Sequence, residues 1–350
     1  MTPAGAGGAP VPTELPTIWS RQLDDYVVAL SVSHDDTLVA AGTGAGKVCA
    51  FESATGSARF EHEAHPGGVL ACAFSPRQPL LATSGHDGYA RLFDASGREQ
   101  GFVSGGSAWV EHLAWSPSGN HLATTSGRTA RVWTWDAKPV FEVEPTAATI
   151  GAVAFNHVGT HLATAGYGGV RLVEVRRGGV VRELPWYASL ISLAWSPDDS
   201  VVACGTQECS VHFWRLETGK DAEMSGFTAQ PRALSWSRDS KLLATSGGAA
   251  SSLWSFEAGP EGRRPTLLSA HQALCTVLSF HPTLPWLASG GDDAAIFIWR
   301  PQEAIAPFAV GRMDDTVTSL AWFRTTRLLV ASDASGLVRA FGVPRGSPPG

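Results

Sequence analysis

SAHQALCTVLSFHPTLPWLASGGDDAAIFIW, residues 269–299, holds three short apolar runs: VLSFHP (277–282), WLASGG (286–291) and IFIW (296–299). Each has strand length and is bounded by Pro, Gly or Asp, the residues that turn a chain sharply. In the first run Leu278 and Phe280 stand two apart, which puts both side chains on one face of a strand. The same phrase returns along the whole chain: ALSVSH (29–34), ACAFSP (71–76), HLAWSP (112–117), VAFNH (153–157), SLAWSP (192–197), ALSWSR (233–238) and SLAWFR (319–324). Its bulky anchors, Val32, Phe74, Trp115, Phe155, Trp195, Trp236, Phe280 and Trp322, follow one another at 42, 41, 40, 40, 41, 44 and 42 residues.

A second run trails each phrase, as in LLATSG (80–85), HLATAG (161–166) and LLATSG (242–247), and a third closes on an aromatic, as in ARLFD (90–94) and VHFW (211–214). The stretch before the next unit is long enough for a fourth strand. Four short antiparallel strands every 40–45 residues or so make one blade of a propeller, and no stretch has the 3.6-residue period of a helical repeat. The expected fold is all-β, an eight-bladed β-propeller, with seven blades as the alternative. The last unit ends at RAFGVPRGSPPG without room for a fourth strand, whereas TIWSRQL (17–23) has strand character and no blade of its own. A ring closed by that N-terminal strand would leave no sheet edge bare. The expected division is a flexible leader at 1–14, one propeller domain at 15–345 and a flexible tail at 346–350.

The composition agrees with a large β core. Of 350 residues 44% are hydrophobic and 17% charged, and the 38 glycines and 22 prolines are spread at intervals. A net charge of −6 argues against a general nucleic-acid binder, which needs Lys and Arg gathered on one face. The five cysteines, 49, 72, 204, 209 and 275, are odd in number and sit mostly in apolar runs, as buried thiols of a reducing compartment do. No apolar run reaches the length of a membrane span, and the opening residues lack the pattern of a signal peptide. The expected location is the cytoplasm, with no membrane or nucleic-acid partner.

With the repeat in view, residues 15–345 resemble the WD-repeat family. The resemblance implies a hydrogen-bonded tetrad in each blade, formed by a His before the first strand, a Ser or Thr, a turn Asp and a Trp. In the seventh unit these fall at His271, Ser289, Asp293 and Trp299, with gaps of 18, 4 and 6. In the second unit His65, Thr83 and Asp87 keep the gaps, but Phe93 cannot donate a hydrogen bond. Cys204, Glu208 and Trp214 keep the spacing in the fifth with altered chemistry. The third, fourth and sixth units are one residue short in the turn and lack the Asp. These residues are structural and no catalytic site is expected among them.

Candidate chemical motifs have plainer readings. AAGTGAGKV (40–48) departs from a phosphate-binding loop at Ala41 and Val48 and falls where a strand turn belongs. His62 and His65 in EHEAH could hold a metal, but His65 is taken by the tetrad. Cys204 is likewise in the tetrad hydroxyl position, away from any zinc-type cysteine pair, and no G-x-S-x-G elbow occurs. No catalytic, metal or cofactor site is therefore expected, and the chain is read as a non-enzyme.

The resemblance points instead to a surface: the loops before each first strand and the turns between second and third strands. It implies that His86, Trp109, Glu111, Trp186, Tyr187, Glu208, Arg232 and Asp292 lie there. Trp109, Trp186 and Tyr187 are the candidate anchors, since large aromatics in loops suit binding, although packing between blades would account for them equally. The expected function is a monomeric protein- or peptide-binding scaffold without cofactor. An alternative follows from residues 189–227, which look like a bacterial group of WD-repeat proteins tied to metal-chaperone GTPases. It makes the chain an accessory in zinc handling. An enzyme is the least favoured reading.

Overall fold

A computed structural model describes residues 11–106, 108–257 and 259–345. Eight sheets follow one another along the chain, so the ring has eight blades and the alternative of seven falls away. Blade 7 shows the usual order: Cys275–Phe280, Leu287–Gly291, Ala295–Trp299 and Ala309–Arg312, each antiparallel to the last. Its second strand, like Leu38–Thr43 and Leu80–Gly85, is buried at every residue. Such a strand has a neighbour on each side and another blade over each face, which selects small residues. A Cβ added at Gly42 would stand 2.5 Å from Val69 Cγ1, and one at Gly290 would stand 2.6 Å from Val317 Cγ1. Both valines open the next blade.

The apolar clusters explain why the blades cannot stand alone. One joins Ile296, Ile298 and Trp286 of blade 7 to Trp322, Leu329 and Phe341 of blade 8. Another joins Val330 and Val338 of blade 8 to Val39, Ala41 and Phe51 of blade 1. Every cluster bridges two adjacent blades in this way, so burial is gained only on stacking. The anchor aromatics add a polar stitch. Indole N–H groups of Trp115, Trp195 and Trp322 donate to Ala73, Ala154 and Ser279 carbonyls of the preceding blade at 3.0, 3.3 and 2.8 Å.

The ring closes as expected from the strand-like N-terminal run. Thr17–Gln22 pairs antiparallel with Leu337–Gly342 and supplies the outer strand of blade 8. On the opposite rim the Asp36 carboxylate accepts the backbone N–H groups of Arg324 and Thr325 at 2.8 and 2.7 Å, tying blade 1 to blade 8. Asp199 repeats that tie between blades 5 and 4, accepting from His157 and Val158 at 2.7 and 3.0 Å. One strand goes beyond expectation. Thr13–Glu14 lies parallel to Ala309 and Val310 as a fifth strand on blade 7, so ordered structure takes in the last two residues read as leader. Residues 1–10 of that leader and the tail at 346–350 lie outside the described residues.

Blade 4 departs from the rest. Its second and third strands form one 14-residue element, His161–Glu174. Val175 N–H donates to the Thr160 carbonyl at 2.9 Å, so the element doubles back to where it began. The outer strand, Val180–Ser189, is long and reaches the turn, with Tyr167 opposite Ser189 and Gly168 opposite Trp186.

Candidate functional site

The loop before each blade and the turn between its second and third strands meet on one face of the ring, and the tetrads fasten them together. In blade 7 the Trp299 indole N–H donates to Ser289 Oγ at 2.9 Å. Ser289 and His271 Nε2 are 2.9 Å apart, as are His271 Nδ1 and Asp293 Oδ1. Indole can only donate and the carboxylate can only accept, so Nδ1 carries the imidazole proton and Nε2 accepts the serine hydroxyl. Blade 2 holds His65 in the same way, 2.8 Å from Thr83 Oγ1 and 2.9 Å from Asp87 Oδ1. Burial lowers the pKa of both histidines against the pull of their aspartates, which favours the neutral ring that the chain of bonds requires. Burial also pushes the Asp293 carboxyl up, but His271 and the N–H groups of Gln272 and Ala295 outweigh it and hold it low.

Elsewhere the positions persist while their occupants change. Trp186 precedes Cys204 by the 18 residues that separate His271 from Ser289, so it takes the imidazole place of blade 5. Its ring stacks on His212, centroids 3.6 Å apart and planes at 19°, while His212 Nε2 reaches Asp221 Oδ2 at 3.0 Å. Glu208 stands exposed on the turn instead of joining this group. In blade 6 Phe227 precedes Thr245 by the same 18, and Trp254 donates to Thr245 Oγ1 at 3.2 Å. Trp133 donates to Thr124 Oγ1 at 2.9 Å in blade 3, with no imidazole above it. The spacing alone would have found Trp186 and Phe227 in these roles.

The same face gathers the tyrosines. All four tyrosines of the chain are exposed, from 37% at Tyr89 to 90% at Tyr187, whereas eight of the 13 tryptophans are buried. Tyr26 sits in the loop before blade 1 and Tyr89 opens the third strand of blade 2, while Tyr167 and Tyr187 lie within the two long strands of blade 4, Tyr187 two residues before the second one ends. Trp109, 54% exposed, lies with its ring centroid 4.3 Å from that of His86. The structure thus brings His86 and Trp109 together beside Tyr89 and Phe102, which meet edge to face at 5.6 Å. Tyr187 is two loops away. Glu111 is half-buried at the start of blade 3, and burial pushes its carboxyl up. Arg232 is exposed and tied to Gln230 Oε1 at 2.7 Å, and Asp292 is exposed on the turn of blade 7. The expectation had included Trp186 and Tyr187 as a pair; Trp186 turns into blade 5 and Tyr187 outward. Tyr26, Tyr89 and Tyr167 were missed, although their places beside these loops follow from the repeat.

Among the described residues, no group of three or more His, Cys, Asp or Glu side chains is gathered to hold a metal ion, and no helix is long and apolar enough to cross a membrane. His62 Nε2 lies 2.6 Å from the Gly97 carbonyl, and His65 is held in its tetrad.

Comparison with known proteins agrees with this geometry. The family model described as WD domain, G-beta repeat matches residues 56–94, 97–134, 179–215 and 262–300, which contain the inner three strands of blades 2, 3, 5 and 7. Telomerase protein component 1 of Rattus norvegicus is 26% identical over 298 residues, covering 81% of this chain and 11% of that protein. Anaphase-promoting complex subunit cdc20 of Dictyostelium discoideum is 27% identical over 235 residues, covering 64% and 46% respectively. F-box-like/WD repeat-containing protein TBL1X of Homo sapiens is 25% identical over 198 residues, covering 51% and 34%. The chain thus spans less than half the length of each of these relatives. Among solved structures, the computationally designed Ika8 protein superposes with a TM-score of 0.74 at 20% identity, over 95% of this chain and all of that one. The chain is an eight-bladed β-propeller that contains WD40 repeats.

Proposed function

We propose that the chain is a non-catalytic protein-interaction platform whose binding face carries the tetrad loops. The observation behind this reading is the sorting of aromatics: every tyrosine is exposed and sits on or beside the loops and turns of one face. Tyrosine brings a large apolar ring and a polar tip, and it loses little conformational freedom on contact. Rigid strands hold these loops in place, as suits recognition by a preformed surface. Trp109 with His86 forms one anchor and Tyr187 with Tyr167 a second. The five free cysteines, four of them buried, support a reducing compartment such as the cytoplasm, and we take the chain to act as a monomer there.

Trp109→Ala and Tyr187→Ala together are expected to abolish recovery of a partner in affinity purification while leaving the thermal unfolding profile in place. Undiminished recovery would remove the face from consideration. The zinc-handling reading rests on residues 189–227 alone, and metal analysis of dialysed protein tests it: less than one zinc per chain disposes of it.

A further inference from the structure

Blade 4 has a cavity where blade 7 has an imidazole. Strand pairing sets the correspondence, since Thr164 lies opposite Val153 as Ser289 lies opposite Leu278. Thr146 precedes Thr164 by 18 residues, as His271 precedes Ser289. Thr146 is too short to reach across and spends its hydroxyl on the Arg128 and Ala148 carbonyls at 3.0 and 2.5 Å. A cavity of about 200 Å³ results, lined by Thr146, Thr164, Gly166, Tyr167, Arg171 and Glu183 among others. Thr164 is 2% exposed, and its hydroxyl has no hydrogen-bond partner among the described residues. The position that supplies an indole donor in blades 3 and 6 holds Val173 here. A buried hydroxyl left unpaired costs about 1–3 kcal/mol.

We propose that this socket binds a histidine side chain of a protein partner, whose ring takes the place left empty in the blade and accepts the Thr164 O–H. The proposal deepens the interaction-platform reading and rests on it. At about 200 Å³ the space falls below the 300–1,000 Å³ or so of drug-sized sites and suits a single ring. The molecule itself twice fills the equivalent space with histidine, over a hydroxyl and beside a carboxylate. The same two groups are present here. Thr164 lies beneath, and the Glu183 carboxylate is 3.4 Å from Arg171 Nε and two-thirds exposed, with acceptor capacity left for the one N–H of the neutral ring. A phenyl ring would leave Thr164 unpaired, and an ammonium or guanidinium would meet Arg171. Exposed Tyr167 lines the socket, and the pairing of Gly168 with Trp186 brings Tyr187 beside it, so the backbone carrying such a histidine would find aromatic surface at the entrance.

The test is a titration of the full chain with N-acetyl-histidine methylamide at about pH 8, where its ring is neutral, read from the Tyr167 ring signals by NMR. Saturable binding in the millimolar range is expected, weakened about tenfold or more in Thr164→Val and in wild type offered the phenylalanine analogue, as loss of one hydrogen bond implies. Thr146→His should fill the socket from within and abolish binding, with a raised melting temperature as proof that the variant folds. Absence of saturable binding to wild type, equal affinity for the phenylalanine analogue, or unchanged binding by Thr146→His would overturn the proposal. Partner recovery that survives Thr164→Val but is lost in Tyr187→Ala would remove the socket and keep the interaction face. Saturable histidine binding by a wild-type chain that recovers no partner would keep the pocket's chemistry but remove its role on that face, and the proposal with it.

Discussion

Blades 7 and 5 place equivalent side chains at equivalent steps and hold them by different forces. In blade 7 the positions contain His271, Ser289 and Trp299, joined by directed hydrogen bonds that end on Asp293. In blade 5 they contain Trp186, Cys204 and Trp214, and the contact is a ring stacked on His212. Strand pairing is the same in both: Ser289 faces Phe297 and Cys204 faces His212 in the third strand. The repeat therefore prescribes where bulk must stand, and leaves open whether bonds or stacking hold it there. Bonds define one arrangement of the loop, whereas a stacked ring fills space with less demand on direction.

Substitutions can break or sharpen that contrast. Trp299→Ala empties a fully buried place and is expected to cost about 3–5 kcal/mol in denaturant unfolding. Trp186→Ala, only partly buried, should cost less than half as much, and equal losses would erase the distinction. His271→Ala strands Ser289 and Asp293 and should cost about 2–3 kcal/mol. The pH dependence is a finer probe. Burial holds the folded-state pKa of His271 below its unfolded value of about 6.5, so the unfolded chain takes up the proton first. The contribution of His271 is full above that value and lost as the pH falls towards the folded one, by at most about 1.4 kcal/mol per pH unit. His271→Gln should flatten the stability profile below neutrality, and a slope identical to wild type would show that this ring does not titrate on unfolding. Tyr187→Ala lies at the small end, within about 0.5 kcal/mol of wild type in stability, because the side chain is 90% exposed.

Much of this architecture could be read from the chain before any coordinates. The anchors from Val32 to Trp322 recur at nearly constant intervals because each blade needs the same apolar bulk against the one before, and this gave the class and favoured eight blades over seven. The unpaired run at 17–23 pointed to the closing strand. Thr13–Glu14 was not legible, since two residues carry no period and a parallel pairing leaves no alternation to detect. The proposed interaction face was legible in part. Trp109 and Tyr187 stood out as loop aromatics, but nothing local separates an indole that faces solvent from one that stacks inward, and Trp186 went the second way. Only the 18-residue step to Cys204 reveals its role. The cavity of blade 4 was hidden because it arises from what Thr146 and Val173 fail to fill.

The outer strand of blade 8 has a consequence for how the molecule is made. Thr17–Gln22 leaves the ribosome well before its partner Leu337–Gly342, which is synthesised more than 300 residues later. Until then a strand with free amide and carbonyl groups must wait, open to pairing with a second nascent copy. Closure over so long a loop is slow, so circularisation is expected to be the last event of folding and the step at which crowded synthesis yields exchanged dimers.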